Sequence, residues 1–561
     1  PFLLPQMPGM ARCKEGALAL AAGAAVAAAL LHRRRATLRA QKDADAAAIP
    51  ALRLPFASLL ERLLPLWALY RLGKDSLQYA TGRLVLECCD PGVGIGTFSL
   101  FGMSYILLRD PQLVNEVIRR NHQAGGGYGK SFKGDPFDRL IDSTFGRGLF
   151  FAEDQDAQWA AAHRILTRPF SHRGVQEMLP LMCQQADKMV AALRRASASG
   201  EAVYAYDFMV KMALETIAVC SMGTAFDTFD SEGQHPFPAA FQAVCDAMFD
   251  LIDVPKQLWP LCPRTMARMR RAVGVMNEII DDIMQKRLRK ETKSLGRGPD
   301  LLDLMLSPRA GSKTLSTENI RSQILTFLFA GHDSTAAAMS SLIVLLVANP
   351  RVEAKLVEEL HQVVGGGEVQ AHHLPKLEYL DWCIKETLRL VPPAAAYQRM
   401  AFDEGLLLGG RWRVPRWSPV IVDVFALHHD PETWGPDAAD FVPERWATGP
   451  PHPASYMPFA AGPRACIGKE FSLMEQKVVA VKLLQSFSLH GTEGWKPRRG
   501  AVLVKASEPL ARVRLGVDAE FNPQQFFVGA SMPVILRERP ASQLNVYGRY
   551  ARSWTFKCGY F

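Results

Sequence analysis

Residues 458–468 have the sequence PFAAGPRACIG, which places a single cysteine between two glycines just before a helical pattern. Apolar residues follow at helical spacing from 469 to 487. Cys466 would therefore lie at a helix N-terminus, where free N–H groups and the helix dipole favour a thiolate. Gly462 and Gly468 allow tight turns and a close approach by a flat ligand, and Arg464 would pair with an anionic group on that ligand.

For a lone cysteine, a buried thiol in a Gly-Pro turn is the plainer interpretation. Here five positions occur together, and at about 5% background each they are expected by chance in about one chain of several thousand. The string resembles the haem-binding signature of the cytochrome P450 family. That resemblance implies haem b as cofactor and Cys466 as the axial ligand of its iron. The cofactor-binding residues it implies in this segment are Phe459, Gly462, Arg464, Cys466 and Gly468.

A second motif, AGHDST at 330–335, lies inside the longest helical pattern, 317–348, which ends at Asn349-Pro350. An acid followed by two hydroxyls is unfavourable in a helix interior, because Ser and Thr compete for backbone carbonyls. Such a cost is accepted where the groups serve a site; a polar kink is the alternative. Gly331 would let a flat ligand lie against the backbone.

Beside Cys466, this motif resembles the oxygen-activating motif of the same family. The resemblance implies that Ala330 and Gly331 line the cofactor. It also implies that the Ser334 hydroxyl hydrogen-bonds iron-bound oxygen and that Asp333 relays protons. The family more often has threonine at the position of Ser334, so Thr335 is the alternative alcohol.

Glu386 and Arg389 are three residues apart, hence on one helical face. An exposed pair of this kind is worth only about 0.2–0.5 kcal/mol, and that is the default interpretation. The segments LVPP after Arg389 and FVPERW at 441–446 resemble the K helix and the PERF element of the family. The resemblance implies a buried structural network of Glu386, Arg389 and Arg445.

Three further residues match cofactor-binding positions of the family. Trp159 and His163 are four residues apart, on one helical face, and Arg399 follows a Pro-Pro pair; the resemblance implies that they reach the haem propionates. Phe150 matches the phenylalanine above the haem in soluble fatty-acid hydroxylases, which makes it a candidate substrate contact. The alternatives are a packed tryptophan, solvated polar residues and an ordinary core aromatic.

The fold predicted by the helix-rich pattern is mainly α with small β-sheets, the strands lying near 97–108 and 405–424. The resemblance implies the cytochrome P450 fold, a single large domain with haem between the long central helix and the cysteine loop. We expect an N-terminal anchor or targeting segment at 1–45, the haem domain at 46–517, and an extension of unknown role at 518–561.

The chain has 561 residues, 48% of them hydrophobic, and a net charge of +9. Its basic residues are scattered and no reader motif occurs, which argues against nucleic-acid binding. The ten cysteines are dispersed without a disulfide pattern and favour a reducing, cytosol-facing setting. Residues 16–31 are uncharged and would span about 24 Å as a helix, short of the roughly 30 Å hydrocarbon core.

Three basic residues follow that run, at 33–35, and two interpretations stay open for it. One is a marginal anchor, which would place the protein on the cytosolic face of the endoplasmic reticulum membrane. The other is a presequence for a plastid or mitochondrion. Residues 51–70 are amphipathic and would either rest on a membrane surface or form a first core helix.

These features predict a haem-thiolate monooxygenase that inserts one oxygen atom from O2 into a C–H bond of a hydrophobic substrate. The resemblance is strongest to the fatty-acid-hydroxylating branch; a sterol or terpenoid is the alternative substrate. Members that rearrange peroxides lack the acid–alcohol pair, and a non-catalytic haem-binding protein is the remaining alternative. No flavin-binding segment follows Val517, so we expect electrons from a separate NADPH-dependent flavoprotein reductase or ferredoxin.

Overall fold

In a computed structural model of the chain, the described residues fall into eleven stretches. These are 93–100, 103–119, 127–130, 136–154, 156–198, 203–229, 235–252, 256–296, 298–307, 315–491 and 533–538. The predicted N-terminal segment 1–45, the amphipathic segment 51–70 and most of 518–561 lie outside these stretches. The anchor, the presequence and the localisation that depends on them therefore stay predictions.

The described residues contain fourteen α-helices and four short 3₁₀ turns, so the predicted helix-rich fold is confirmed. The helices, in chain order, are α1 (Pro111–Arg119), α2 (Pro136–Ser143), α3 (Ala157–Leu166), α4 (His172–Ser197), α5 (Ala205–Met222), α6 (Pro236–Ile252), α7 (Pro263–Leu288), α8 (Leu301–Leu306), α9 (Thr317–Ala348), α10 (Pro350–Val363), α11 (Glu378–Leu390), α12 (Val424–His429), α13 (Pro431–Trp434) and α14 (Lys469–Ser486). The 3₁₀ turns are Lys256–Leu261, Leu374–Lys376, Pro443–Ala447 and Gly462–Arg464.

The central element is α9, which has the bounds that its sequence predicts. The Ser316 side chain caps it by accepting a hydrogen bond from the Asn319 backbone N–H, and Asn349 ends it before Pro350. It packs along α5 and also contacts α11 and α14. Within the described stretches, it is the one helix long and apolar enough to span a membrane, but 72% of its most apolar part is buried in the fold. Burial on nearly all sides identifies it as a core helix.

Ten short strands form three sheets within the described residues. The strands are β1 (Ile95–Leu100), β2 (Met103–Leu108), β3 (Tyr128–Gly129), β4 (Val203–Tyr204), β5 (Ala396–Ala401), β6 (Leu406–Leu408), β7 (Trp412–Val414), β8 (Pro419–Asp423), β9 (Phe487–Gly491) and β10 (Pro533–Glu538). The largest sheet has the order β1-β2-β8-β5-β3, in which only the β2–β8 pair is parallel. β6 pairs with β7, and β4-β10-β9 form the third sheet.

The third sheet corrects the predicted domain boundary at 517. Strand β10 lies within the predicted extension 518–561, yet it pairs antiparallel with β9, directly after α14, and with β4, directly before α5. Because a strand supplies backbone hydrogen bonds to both of its neighbours, residues 533–538 are part of the main domain. The strand could not be assigned from the sequence, because it is separated in sequence from both of its partners.

The buried network predicted around Glu386 is present, and it contains two residues that the sequence did not indicate. Arg389 and Arg445 both bind Glu386 at 2.8 Å, and the Trp446 indole N–H donates to the same carboxylate at 3.0 Å. Arg389 also donates to the backbone carbonyl of His428 at 2.8 Å. We call these five residues the Glu386 network. It joins α11, α12 and the Pro443–Ala447 turn.

His428 connects the Glu386 network to the cysteine segment. Burial lowers the pKa of His428 well below its usual value, so the ring is neutral. Its Nδ1 lies 3.2 Å from the backbone carbonyl of Arg389, and its Nε2 accepts a hydrogen bond from the Met457 backbone N–H at 2.9 Å. Met457 directly precedes residues 458–468, so the network fixes the point at which that segment begins.

Candidate active site

The segment that carries Cys466 is held by its own backbone. Gly462 has a φ of +73°, and a Cβ there would lie 2.8 Å from the Ile118 side chain on α1. Both facts require glycine at this position. The Cys466 backbone N–H donates to the Phe459 carbonyl at 2.9 Å, which closes the loop. Gly468 then caps α14, which begins at Lys469. The predicted tight loop ahead of a helix is confirmed.

The thiolate predicted at Cys466 stays a prediction, and the surrounding protein acts on it in two opposite directions. Cys466 has accessible surface but is surrounded by protein, as expected for a side chain that faces an interior cleft. Burial raises the pKa of its thiol above the usual value, and a hydrogen bond from the Gly468 backbone only partly offsets this.

The AGHDST motif of α9 lies beside this loop. The Thr335 hydroxyl is 3.0 Å from the hydroxyl of Ser472, which lies on α14 four residues after Gly468. Thr335 is buried, whereas Ala330 and Ser334 keep accessible surface. The Ser334 hydroxyl donates to the Ala330 carbonyl at 2.8 Å, within its own helix. The two candidate alcohols therefore differ: Thr335 joins two helices, and Ser334 does not.

Gly331 also has a packing role that the sequence did not indicate. A Cβ on Gly331 would lie 3.0–3.4 Å from three side-chain carbons of Ile217 on α5. Gly331 itself keeps accessible surface, so its place beside a flat ligand stays a prediction. Glycine at this position lets α5 and α9 approach closely.

Asp333 has a partner that the sequence did not indicate. The Tyr206 hydroxyl, in the first turn of α5, donates to Asp333 Oδ1 at 2.6 Å. Burial raises the pKa of Asp333 to about 7, and the tyrosine hydrogen bond limits that rise. A carboxyl group with a pKa near neutrality can exchange protons at physiological pH, as the predicted proton relay requires.

Arg464 lies at the centre of a second charged group. It binds Asp154 at 3.2 Å and donates to the backbone carbonyls of Ala152, at 2.6 Å, and Leu149, at 3.4 Å. Its guanidinium also lies 4.5 Å from the centre of the Trp159 ring. Trp159 and Arg464 were predicted separately as cofactor-binding residues, and the structure brings them together.

Two more cations act on Arg464. Lys130 and Arg399 both lie within electrostatic range of it. Burial is the main cause that lowers the pKa of Lys130, Arg399 and Arg464. The charges of Arg464 and Arg399 lower the pKa of Lys130 further, and the charge of Arg399 lowers that of Arg464. For Arg464 the pKa falls to about 10. The Lys130 backbone N–H donates to Asp154 at 2.8 Å, and its ammonium group contacts the Phe150 carbonyl. We call Lys130, Asp154, Arg399 and Arg464 the Arg464 cluster.

The charges of the Arg464 cluster fit the cofactor that the sequence implies. Three cations act on one carboxylate, and all three cations are disfavoured in their charged form. A bound anion would relieve this repulsion. Haem b carries two propionate groups, and their negative charges would offset the excess positive charge of the Arg464 cluster. Lys130 and Asp154 were missed because neither lies in a recognisable sequence pattern.

His163 and Phe150 lie next to this cluster. The His163 ring stacks on Trp159 with 4.9 Å between ring centres, and burial and Arg464 lower its pKa, so it is neutral near pH 7. His163 and Trp159 also line a groove of about 680 Å³ together with Pro463 of the cysteine loop. The Phe150 side chain is 42% exposed, and the Lys130 ammonium lies 4.1 Å from its ring centre.

A family model described as Cytochrome P450 matches residues 94–510. The "Bifunctional cytochrome P450/NADPH--P450 reductase 2" of Bacillus subtilis is 31% identical over 473 residues, which are 82% of this chain and 43% of that protein. The "Bifunctional cytochrome P450/NADPH--P450 reductase" of Bacillus cereus is 35% identical over 372 residues, 63% of this chain and 34% of that protein. The "Self-sufficient cytochrome P450 monooxygenase CYP505E3" of Phanerodontia chrysosporium is 32% identical over 358 residues, 62% of this chain and 33% of that protein.

Among solved structures, the "Crystal structure of cytochrome P450DA heme domain" aligns with a TM-score of 0.74 and 25% identity. The match covers 89% of this chain and 99% of that one. This chain spans less than half the length of the three relatives, and two of them are named as fusions with a reductase. The expectation of a separate electron donor therefore stays a prediction. The family match, the relatives and the shared fold confirm the family implied by the cysteine segment: the chain belongs to the cytochrome P450 family, whose cofactor is haem b.

Proposed function

We propose that this chain is a haem-thiolate monooxygenase that inserts one oxygen atom of O2 into a C–H bond of a fatty acid. The observation that carries this proposal is the contact of α9, which holds Asp333 and Ser334, with α14, which begins three residues after Cys466. One side chain would bind iron, and the other two would deliver protons to the same space. A haem-binding protein that catalyses no reaction would not need the proton-delivering side chains Asp333 and Ser334.

The chain's own residues have separable tasks in this reaction. Bound haem supplies the activation of O2, which protein side chains cannot perform alone. Cys466 would bind the iron through its sulfur, and iron binding would offset the burial that otherwise keeps the thiol protonated. Arg399, Arg464 and Lys130 would hold the propionates. The tight loop at Gly462 fixes where the sulfur lies.

Ser334 is the alcohol that the geometry favours for proton delivery. Its hydroxyl has accessible surface and bonds only to a carbonyl of its own helix, which leaves it able to rotate toward a ligand. Thr335 is buried and bridges to Ser472, so a change of partner there would break the contact between α9 and α14. Asp333, with a pKa of about 7, would supply the protons.

The aromatic side chains near Phe150 support a hydrophobic substrate. Phe329 on α9 lies 4.9 Å from Phe145 and 6.1 Å from Phe241, and Phe150 and Phe151 lie beside it, measured between ring centres. Only Phe150 of these is strongly exposed. The choice of a fatty acid over a sterol or terpenoid rests on the family branch. A binding-induced shift in the haem absorbance, measured with long-chain acids and with sterols, distinguishes the two classes.

We assign the electron supply to an NADPH-dependent flavoprotein reductase, because two relatives are named as fusions with one. Three cations suit an acidic docking partner on the face that carries Pro463: Arg164, Arg168 and Lys469 are exposed there. Lys477 and Lys482, also near the loop, bind Asp381 at 2.9 Å and Asp187 at 2.7 Å, so they are engaged within the domain.

The proposal is tested first at the sulfur. Reduced protein reconstituted with haem and exposed to carbon monoxide is expected to show the red-shifted Soret band of thiolate ligation. Cys466→Ser is expected to abolish that band, while Cys383→Ser, a change at a buried cysteine of α11, retains it. An unshifted band in the unsubstituted protein would overturn the proposal.

Turnover then separates the possible activities. With NADPH, a P450 reductase and a long-chain fatty acid, we expect substrate-dependent NADPH consumption and a hydroxylated product. Consumption of a fatty-acid hydroperoxide without NADPH would instead identify a peroxide-rearranging enzyme, and the absence of both would identify a haem-binding protein.

The two hydroxyls of α9 give a matched pair of variants. Ser334→Ala is expected to lower product formed per NADPH severalfold and to raise hydrogen peroxide release, because the proton route is interrupted while O2 still binds. Thr335→Ala is expected to cost about 1 kcal/mol of unfolding free energy with a smaller loss of product yield. If Thr335→Ala had the larger effect on product yield, Thr335 would be the proton-delivering alcohol instead.

A further inference from the structure

The hydrogen bond between Tyr206 and Asp333 joins two positions that are 127 residues apart in sequence. Its length, 2.6 Å, is in the range of a hydroxyl donating to a carboxylate. Tyr206 lies in the first turn of α5 and keeps some accessible surface, while the next residue, Asp207, is exposed. The side chain therefore reaches from the outer part of the fold to the buried acid of α9.

Among the described residues, the groups that act on this pair are acids or are neutral at physiological pH, and the cation Lys211 of α5 acts on Asp207. On α5, Asp207 faces Tyr206 as a further acid. On α6, Cys245 faces both groups with the pKa of its thiol raised by burial and by Asp333, and Asp246 lies beside it. On α9, burial lowers the pKa of His332 to about 4, so that ring is neutral at physiological pH. Among the described residues, no cation forms an ion pair with Asp333, so Tyr206 is the group that stabilises its carboxylate.

We propose that Tyr206 is a positioning residue that holds Asp333 in place for proton delivery to Ser334. The proposal rests on the monooxygenase function proposed above. The Tyr206 O–H donates a hydrogen bond to Oδ1 of Asp333. The acidic proton of Asp333 therefore resides on the other carboxyl oxygen, Oδ2. When Oδ2 releases that proton toward Ser334, the Tyr206 hydrogen bond stabilises the carboxylate that remains. A proton from solvent water then restores the acid.

Tyr206 itself does not ionise in this cycle. Burial and the nearby Asp333 charge raise the pKa of its hydroxyl well above the usual value. Its contribution is the hydrogen bond and the orientation that this bond imposes. Without the hydroxyl, burial acts on Asp333 unopposed, and the pKa of Asp333 rises above about 7. A hydrogen bond to a charged group corresponds to about one pKa unit or more.

The direct test measures the Asp333 proton in the haem-loaded protein, without turnover. The carbonyl stretch of a protonated carboxyl group is followed by infrared difference spectroscopy across pH, and Asp333→Asn identifies the band. We expect the band to disappear near pH 7 in the unsubstituted protein and about one pH unit higher in Tyr206→Phe. A band with the same titration midpoint in both proteins would overturn the proposal.

The second measurement is the pH profile of product formed per NADPH. Proton delivery needs the acid form of Asp333, so the yield is expected to fall as pH rises through about 7. In Tyr206→Phe this fall is expected to move to higher pH, with more hydrogen peroxide at every pH because the acid is less well placed. Tyr379→Phe is the matched control, because it removes a tyrosine hydrogen bond of 3.0 Å to Glu444, a carboxylate outside the site.

The outcomes separate this inference from the proposed function. A shifted infrared band with an unshifted pH profile would contradict the role in proton delivery, and so would equal shifts in Tyr206→Phe and Tyr379→Phe. If the unsubstituted protein shows thiolate ligation but no NADPH-dependent oxidation, the proposed function fails and this role fails with it, whatever the infrared band does. A shift of both measurements in Tyr206→Phe alone supports the proposal.

Discussion

The Glu386 network and the Arg464 cluster are both buried groups of charges, but they are balanced differently. In the Glu386 network, two arginines bind Glu386. One of them, Arg445, also binds Asp437 at 3.2 Å, a half-exposed residue outside the network, so the two cations meet two carboxylates. In the Arg464 cluster, three cations act on Asp154 and repel one another. A balanced network holds elements together, whereas an unbalanced one is complete only with a ligand of opposite charge.

The largest effect is expected in the balanced network. Arg389→Ala would leave Glu386 buried without its main partner, and losing one member of a buried ion pair costs about 3–5 kcal/mol of unfolding free energy. Urea denaturation followed by circular dichroism measures this cost. If that variant cannot be purified, Arg445→Ala, at a less buried position, is expected to show the same direction with a smaller loss.

Lys355→Ala is the control for this loss. It breaks an ion pair with Glu444 in which both side chains are about half exposed, and such pairs contribute less than about 1 kcal/mol. Similar losses of unfolding free energy in Arg389→Ala and Lys355→Ala would show that burial does not increase the contribution of the Glu386 network to stability.

Asp423 sharpens the comparison, because it is a buried acid on which no cation acts among the residues that the structure describes. It caps α12 by accepting from the Ala426 N–H at 2.8 Å, and burial raises its pKa to about 7. This pKa lies above the value of about 3.9 in the unfolded chain. The unfolding free energy is therefore highest below pH 4, where Asp423 is neutral in both states, and it falls as the pH rises through about 7. Asp423→Asn keeps the cap, so we expect it to be more stable than the unsubstituted protein by about 1–3 kcal/mol at pH 8.

At pH 4 the two proteins are expected to have the same unfolding free energy. The matched control is Asp430→Asn, because Asp430 also caps a helix but binds Arg109 at 3.1 Å. Losing that buried pair is expected to lower stability at pH 8, the opposite sign. Equal pH profiles for Asp423→Asn and the unsubstituted protein would show that Asp423 ionises freely in the fold.

Asp154→Asn in the unbalanced cluster is expected to have an effect that depends on bound haem. Removing the carboxylate increases the repulsion around Arg464, so the haem-free protein is expected to lose about 1–3 kcal/mol of unfolding free energy. Bound propionates would replace part of that charge, so the loss in the haem-bound protein is expected to be smaller. Thermal unfolding of both forms measures the difference, and an equal loss in both would contradict the assignment of the propionates to this cluster.

The features predictable from the sequence are those encoded locally. Helix α9 begins after a serine cap and ends at Asn349-Pro350, and both signals are visible in the sequence. The turn before Cys466 is specified by its glycines, and Glu386 and Arg389 share one helical turn. In each case, neighbouring residues determine the backbone or bring the interacting groups together.

The missed features depend on tertiary contacts. Tyr206 meets Asp333 across 127 residues, and Lys130 meets Asp154 through a backbone hydrogen bond from an irregular segment. The contact of Gly331 with Ile217 was missed for the same reason, because Ile217 is on another helix. The effect of burial on the thiol pKa of Cys466 was missed as well, because the sequence does not show burial.

Asp154 also bears on the biogenesis of the holoprotein. Because one internal carboxylate already accompanies Arg464, part of the positive charge that would meet the propionates is offset before the prosthetic group binds. Maturation of the holoprotein would then relieve only the repulsion that Asp154 leaves.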